Sequence, residues 1–408
     1  MRLEKGTTPA EVNITFLLYL FRGLPTMSTL ASPALKSLQT NIDAPLHQLV
    51  ADIDILDAVK PLNNVDQKQA FFDNQFSVEP SFIYAKENID PFKLKRALFN
   101  LPLETLKDDD LYTLYLDIID SYVDKVDQYK SIGSTDFLYD SLRYYGEPSE
   151  KDIRNAQFIL HLPDDPDDNV GKLQDAQAIC QILSSMADQE GYTWQLQMDD
   201  SMVANALVSG TKVRINSRAI LSHTDSLALA HHELGVHLVT SLNAQSQPLN
   251  VLSLGCPLNT MTQEGLAILS EYLSGNLTLK RLKILALRVM AVASMIKDKD
   301  FRSTFLLLKE QYGIEDNLAY TITVRVYRGG GYTKDHLYLK GFSMILNAYE
   351  TEANFNHLLT GKTSLAYLPL ISRLISKGVL IEPKYVTPSY KQPVQANAVN
   401  RFITHAIR

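Results

Sequence analysis

Cysteine is nearly missing from this chain: Cys180 and Cys256 are the only two in 408 residues. They lie far apart, so they supply neither a disulfide framework nor a thiolate metal pattern. Buried free thiols in a reducing cytoplasm are the expectation. Positive charge is in short supply too. Acidic residues outnumber lysine and arginine by 46 to 39, and a formal charge of −7 with no long basic run excludes nucleic-acid binding by bulk electrostatics. Long apolar runs are absent, and residues 14–21 are too few to span a bilayer, so no membrane partner is expected. With only Arg2 and Lys5 ahead of them, and Glu4 and Glu11 in the same flank, they also make a poor secretory signal. Internal repeats and low-complexity tracts are lacking. What remains, 45% apolar and 21% charged, is ordinary globular composition for one large or two modest domains.

Met27 is a plausible alternative start, which makes residues 1–27 an expected disordered extension without function. Residues 28–60 and 92–145 carry apolar residues at helical spacings, and the turn formers Gly146, Pro148 and Ser149 close this part. We therefore expect a helical N-terminal region over 28–149 and a second domain over 150–408. In that second part, FILHLPDDPDDNVG reads as a loop leaving a strand, and LQDAQAICQILSSMADQEG reads as a helix. TWQLQMDD and MVANALVSGTKVRINS alternate as strands do, with a hairpin turn at Ser209-Gly210. Helices are expected over 262–296, 301–312 and 338–350. The fold class is mainly helical α+β, with one small sheet just before the most informative stretch. Such a sheet edge can hold an extended peptide by backbone hydrogen bonds.

That stretch is AHHELGVHLVTS, residues 230–241. It resembles the zinc-peptidase helix signature H-E-x-x-H with the second histidine one residue late. In a regular helix, residues five apart differ by about 140° in direction and cannot reach one ion, whereas residues four apart differ by about 40°. One extra residue in the turn, a π-bulge, repairs the geometry, and such bulges concentrate at functional sites. Gly235 sits in the suspect turn, where a regular helix disfavours glycine by about 1 kcal/mol relative to alanine. It makes sense there if the backbone must deviate. In the functional reading, neutral His232 and His237 bind the ion. Glu233 takes a proton from the attacking water and later passes it to the leaving amine. The structural alternative is a buried helix with a hydrogen-bonded histidine pair. His223 and His231 are read as structural.

A third ligand is needed, and TMTQEGLAILSEYLSG offers Glu264 and Glu271, seven apart and roughly on one helix face. Thr262 is suited to cap the helix start, leaving Glu264 in the first turn and able to point across. Glu271 is read as an acid that orients a histidine or as a surface charge.

At this point the residues resemble a known family. HHELGVH followed by Gln263-Glu264-Gly265-Leu266-Ala267 is similar to bacterial proteins named for a QEGLA motif and described as modulating flavohemoglobin expression. The same family includes the microtubule-associated tyrosine carboxypeptidases, zinc enzymes with an H-E-x-x-x-H helix and a downstream glutamate ligand. The resemblance runs over about 130–350 and includes GSTDFLYDSLRYYGEPS, VRINSRAILS, NAQSQPL and VRVYRGGGYTKDHLYLKG. One departure is Asn243-Ala244, where relatives often carry Asn-Gly. Dipeptidyl peptidase III has the same six-residue motif. The resemblance implies one Zn2+ per chain held by His232, His237 and Glu264, Glu233 as general base, and a zincin-like carboxypeptidase that acts on a peptide or protein C-terminus. Tubulin is not carried over, because an acidic chain would be repelled by an acidic tail, so microtubule binding is not expected.

RVYRGGGYTKDHLYLKG, residues 325–341, is then read as a pocket wall rather than a glycine turn flanked by surface charges. Arg328, then Lys334, then Arg325 are the expected receptors of a terminal carboxylate. Tyr332 or His336 is the expected donor to the oxyanion. Two rival functions remain: a metal-binding regulatory protein that hydrolyses nothing, and an aminopeptidase or dipeptidyl peptidase with an acidic anchor for a substrate amine.

Overall fold

The structure is a computed structural model that describes residues 33–85, 89–164, 172–200, 202, 204–395 and 398–407. The expected extension over 1–27 lies outside the described residues. The chain is 67% helical with 5% strand, so it is mainly helical α+β.

Three strands form the small sheet, in the order Gln195–Asp199, Lys212–Asn216, Ala206–Ser209. The last two pair antiparallel as a hairpin around Gly210, and the first pairs parallel. Period-two alternation sends Val213 and Ile215 of the central strand inward. They pack on Ile179, Leu183 and Ala187 of the helix Ala176–Glu190 and on Leu234, Leu238 and Val239. The histidine stretch thus has an apolar back fixed to the sheet, each fully buried aliphatic side chain contributing about 1.5–3 kcal/mol. Ala206–Ser209 is an edge strand lying against that stretch.

Helices build the rest of the frame. The Glu264 helix (Asn259–Leu273) lies against the helix Leu337–Thr351, and the two approach through facing glycines. A Cβ on Gly265 would come 2.5 Å from the carbonyl oxygen of Gly341, and one on Gly341 would come 2.2 Å from that of Met261. The Arg288 helix (Leu279–Asp298) packs behind both. The N-terminal helices share their apolar clusters with later segments. Leu114, Ile118 and Tyr122 of the helix Asp109–Ser131 join Val251, Leu252, Ile371 and Leu374. Tyr145 of the helix Asp136–Tyr145 joins Tyr332 and Leu337.

Several local expectations need correction. FILH ends a helix, Glu150–His161, because Ser149 and Asp152 form a capping box that starts it and its Ala156 and Ile159 face the core. The long helix over 262–296 is two helices, broken around Gly275 at φ +76°. Thr262 caps nothing: the helix begins at Asn259, and the buried Thr262 hydroxyl accepts from the Leu365 amide at 2.8 Å. Of the two thiols only Cys256 is buried; Cys180 is half-buried.

Candidate metal centre

The helix His223–His232 is capped by Ser222, whose hydroxyl accepts from the Asp225 amide. At its end the backbone widens into a π-helical turn over Glu233–Leu238 before resuming as Val239–Ser246. The extra residue does what the late histidine requires. The His232 and His237 rings come to 5.0 Å between centroids at an angle of 74°.

Side chains hold the carbonyls around the wide turn. Gly235 O accepts from the Thr387 hydroxyl at 2.7 Å, and Val236 O from Thr240 at 2.9 Å. His237 O accepts from Ser241 at 2.8 Å and from the Lys362 ammonium at 2.9 Å. Gly235 itself does not use a positive φ. Its role is space: a Cβ there would sit 3.1 Å from Ser270 Oγ, which is engaged with His231 O and Ser389.

Glu264 arrives from the second turn of its helix. Its Oε2 lies 3.5 Å from His232 Nε2 and 3.7 Å from His237 Nε2. Its Oε1 accepts from the Lys334 ammonium at 2.8 Å, and Lys334 also donates to the Tyr338 hydroxyl at 2.8 Å. The ligand atoms of His232, His237 and Glu264 all lie within 4.8 Å of one another. Ligands about 2.0–2.1 Å from a tetrahedral ion are separated by roughly 3.3 Å, so the set needs little adjustment to close on one.

The donor chemistry fits as well. Burial opposes charge on Glu264, yet Lys334 and the two histidines hold its carboxyl well below the usual range. His232 Nδ1 meets Glu271 Oε1 at 2.7 Å, and Glu271 is gripped by Arg281 through bonds of 3.1 and 3.0 Å. Burial again opposes the Glu271 charge, and Arg281 with His232 bring its carboxyl down to about 2. A permanently charged Glu271 makes Nδ1 of His232 the nitrogen that keeps its proton, so that Nε2, on the side of Glu264, is the ligand atom once the ring is neutral. Glu271→Gln is expected to weaken metal binding about 10- to 100-fold by chelator competition. Unaltered affinity would mean the contact does not orient a ligand.

The metal-free site also stores a proton. Burial works against charge on His232, but hydrogen bonds to Glu264 and Glu271 outweigh it and push the imidazole up to about 10. Burial moves His237 the other way, below its usual value. His232 therefore stabilises the metal-free fold fully below pH about 6.5, and this contribution fades as pH rises toward about 10. Binding an ion requires the neutral ring, so one proton must leave. Between pH 6 and 8 the apparent affinity is expected to rise about tenfold per unit. Calorimetry in two buffers of different ionisation heat should count about one proton released, and a count of zero would contradict the arrangement.

Glu233 is buried beside this set and makes no hydrogen bond or ion pair among the described residues. The motif expected to bind substrate is more varied. Arg325 forms a two-pronged pair with Asp335 at 2.5 and 2.9 Å. Tyr332 is wholly buried with its hydroxyl 3.1 Å from that of Tyr145. His336 is buried with Nδ1 2.6 Å from Thr333 O. Lys334 stands on Glu264, and Arg328 lies with its guanidinium 4.9 Å from the Tyr332 ring centroid. Sequence reasoning missed Arg281, whose partner Glu271 lies across the break between two helices, and Arg288 and Lys362, whose partners are remote in the chain.

Fold and site together define a mainly helical protein with a three-residue metal-competent cluster on a bulged histidine helix. The chain belongs to the microtubule-associated tyrosine carboxypeptidase family, whose model matches residues 69–408. The match extends beyond the 130–350 stretch that carried the resemblance and takes in the helices from Gln69 onward. Membership makes the protein a carboxypeptidase-like enzyme. No curated protein matches the chain significantly. Among the described residues no helix is long and apolar enough to cross a membrane.

Proposed function

We propose that the protein is a zincin-like zinc metallopeptidase of the cytoplasm that removes residues from the C-terminus of a peptide or protein. One observation carries the reading: His232, His237 and Glu264 converge while Glu233, next in sequence to a ligand, stays unengaged. A purely structural ion has no use for a free carboxylate at that point, so a regulatory protein without hydrolytic activity is the poorer account.

His232, His237 and Glu264 would hold one Zn2+ and leave a position open for substrate. When bound, the ion polarises the scissile carbonyl and makes water a better nucleophile at neutral pH. Glu233 accepts the proton of the attacking water and delivers it to the leaving amine. Glu271 and Arg281 keep His232 in one orientation. Lys334 keeps Glu264 charged with one oxygen facing the histidines. The edge strand Ala206–Ser209 offers backbone groups to an extended peptide, and Arg328 offers charge to its terminal carboxylate. Residues 150–408 supply every one of these groups, with 28–149 as helical support. Tubulin is not proposed as substrate, given the charge of −7.

The test is mass spectrometry of a mixed peptide library incubated with the zinc-loaded protein. Loss of single C-terminal residues supports the reading and reveals the preferred residue. Loss from N-termini would favour an aminopeptidase. No cleavage of peptides or of folded proteins, with zinc shown to be bound, would return the weight to a regulatory role.

A further inference from the structure

Two carboxylates beside the metal cluster are each paired with one cation. Glu264 faces Lys334, and Glu271 faces Arg281. Around the glycine turn, three guanidinium groups share one carboxylate. Arg325 takes both oxygens of the fully buried Asp335. Arg288 reaches Asp335 only at 4.0 Å, with its side chain 14% exposed. Arg328 makes no ion pair among the described residues. Neither Arg288 nor Arg328 donates a hydrogen bond among the described residues, and the Nε of each is buried without a partner. Aromatic faces hold both in place: the Arg288 guanidinium is 5.1 Å from the Tyr338 ring centroid, and that of Arg328 is 4.9 Å from the Tyr332 ring.

Two desolvated guanidinium groups with unused donors are costly unless an anion completes them. Burial and then the charge of Arg325 bring Arg288 down to about 10, and burial with Arg325 lowers Arg328 as well. Guanidinium does not give up its proton at neutral pH, so this pressure is relieved by a counter-ion instead.

Glycines make the arrangement possible. Gly329, Gly330 and Gly331 all have positive φ, and a Cβ on Gly329 would come 2.5 Å from the Phe137 ring. The turn therefore folds tightly against the N-terminal helices, and Arg328, like Arg288, lies close enough to Asp335, Arg325 and Tyr338 to interact with them electrostatically.

We propose that Arg288 and Arg328 together form the receptor for the substrate's free α-carboxylate, with Asp335 and Arg325 as its fixed floor. The proposal rests on the carboxypeptidase reading and sharpens it. Arg288 lies seven residues beyond Arg281 on one helix, about 10 Å along the axis and on roughly the same face. Arg281 marks the level of the metal cluster through Glu271 and His232. The Tyr338 hydroxyl and Lys334 bridge the interval to Glu264. A scissile carbonyl at the ion, one further residue and a charge-assisted hydrogen bond together span roughly 8–9 Å, a length comparable with the rise from Arg281 to Arg288, and the proposal places the receptor one residue past the cleaved bond, where it would favour release of single residues. Arg325 and Lys334 serve it indirectly, by neutralising Asp335 and Glu264.

The experiment measures binding of one fluorescent peptide as free acid and as C-terminal amide. The host is the zinc-loaded Glu233→Gln protein, with Arg288→Gln and Arg328→Gln added singly. Arg288→Lys and Arg328→Lys are included in case the glutamine variants misfold. We expect the parent to prefer the acid about 30-fold or more, and each glutamine substitution to bring that preference close to one. The lysine variants should retain part of it. A merely structural role would weaken acid and amide alike and leave their ratio intact. A preference that survives both substitutions overturns the receptor while leaving the carboxypeptidase reading standing. Equal binding of acid and amide by the parent overturns both.

Discussion

Glu233→Gln is expected to reduce kcat by about 10³-fold or more while zinc content and thermal stability stay at wild-type levels. The substitution keeps the shape of the side chain and removes only its basicity. Glu233 holds no hydrogen bond or ion pair among the described residues, so the fold loses no contact with it. Its proposed work is confined to moving a proton between the attacking water and the leaving amine. KM should change little, because the residue is not assigned to binding. Release of C-terminal residues followed by mass spectrometry gives the rate, and elemental analysis gives zinc per chain. Loss of zinc together with activity would mean that Glu233 supports the ion instead of the chemistry. Retained activity would remove it from the mechanism altogether.

The bulged turn was legible in the sequence because helix geometry leaves no other way to unite histidines five apart. The structure places a π-helical turn over Glu233–Leu238. The hairpin at Gly210 was legible for a similar reason, since alternation and a turn former are local signals. Glu271 was left between two readings, and its contact with His232 decides for orientation. The unread features depend on partners far along the chain. Lys334 meets Glu264 across 70 residues, and Lys362 meets His237 across 125. Nothing local shows which group such a lysine meets. Gly265 looked like an ordinary motif letter until Gly341 appeared opposite it. FILH was misread because a short apolar run is compatible with strand or helix, and the capping box that starts nine residues earlier, Ser149 with Asp152, was overlooked. Thr262 was misread because a hydroxyl near a helix start has more than one use.

Glu264→Ala is the other substitution with a large expected effect, and it acts on two properties at once. It removes a proposed zinc ligand, and it strips Lys334 of its carboxylate. Lys334 is 5% exposed at its side chain and would keep only the Tyr338 hydroxyl as a hydrogen-bond partner. An ammonium buried that way costs about 3–5 kcal/mol, so the metal-free variant should unfold at clearly lower temperature or denaturant concentration. Metal content should fall below one tenth of an equivalent after gel filtration. Adding Lys334→Met separates the two effects. The double variant removes both charges, and a hydrophobic replacement of a buried pair is often neutral, so most of the lost stability should return. Zinc binding should not return with it. Lys334→Met alone should bind zinc, because Oε2 of Glu264 still faces both histidines at 3.5 and 3.7 Å. Full zinc occupancy in the double variant would show that Glu264 serves only as a counter-ion to Lys334. Loss of zinc in every variant, including Lys334→Met, would show that the ion pair itself builds the site. The expected pattern, stability restored and metal still absent, assigns one oxygen of Glu264 to the lysine and the other to the ion.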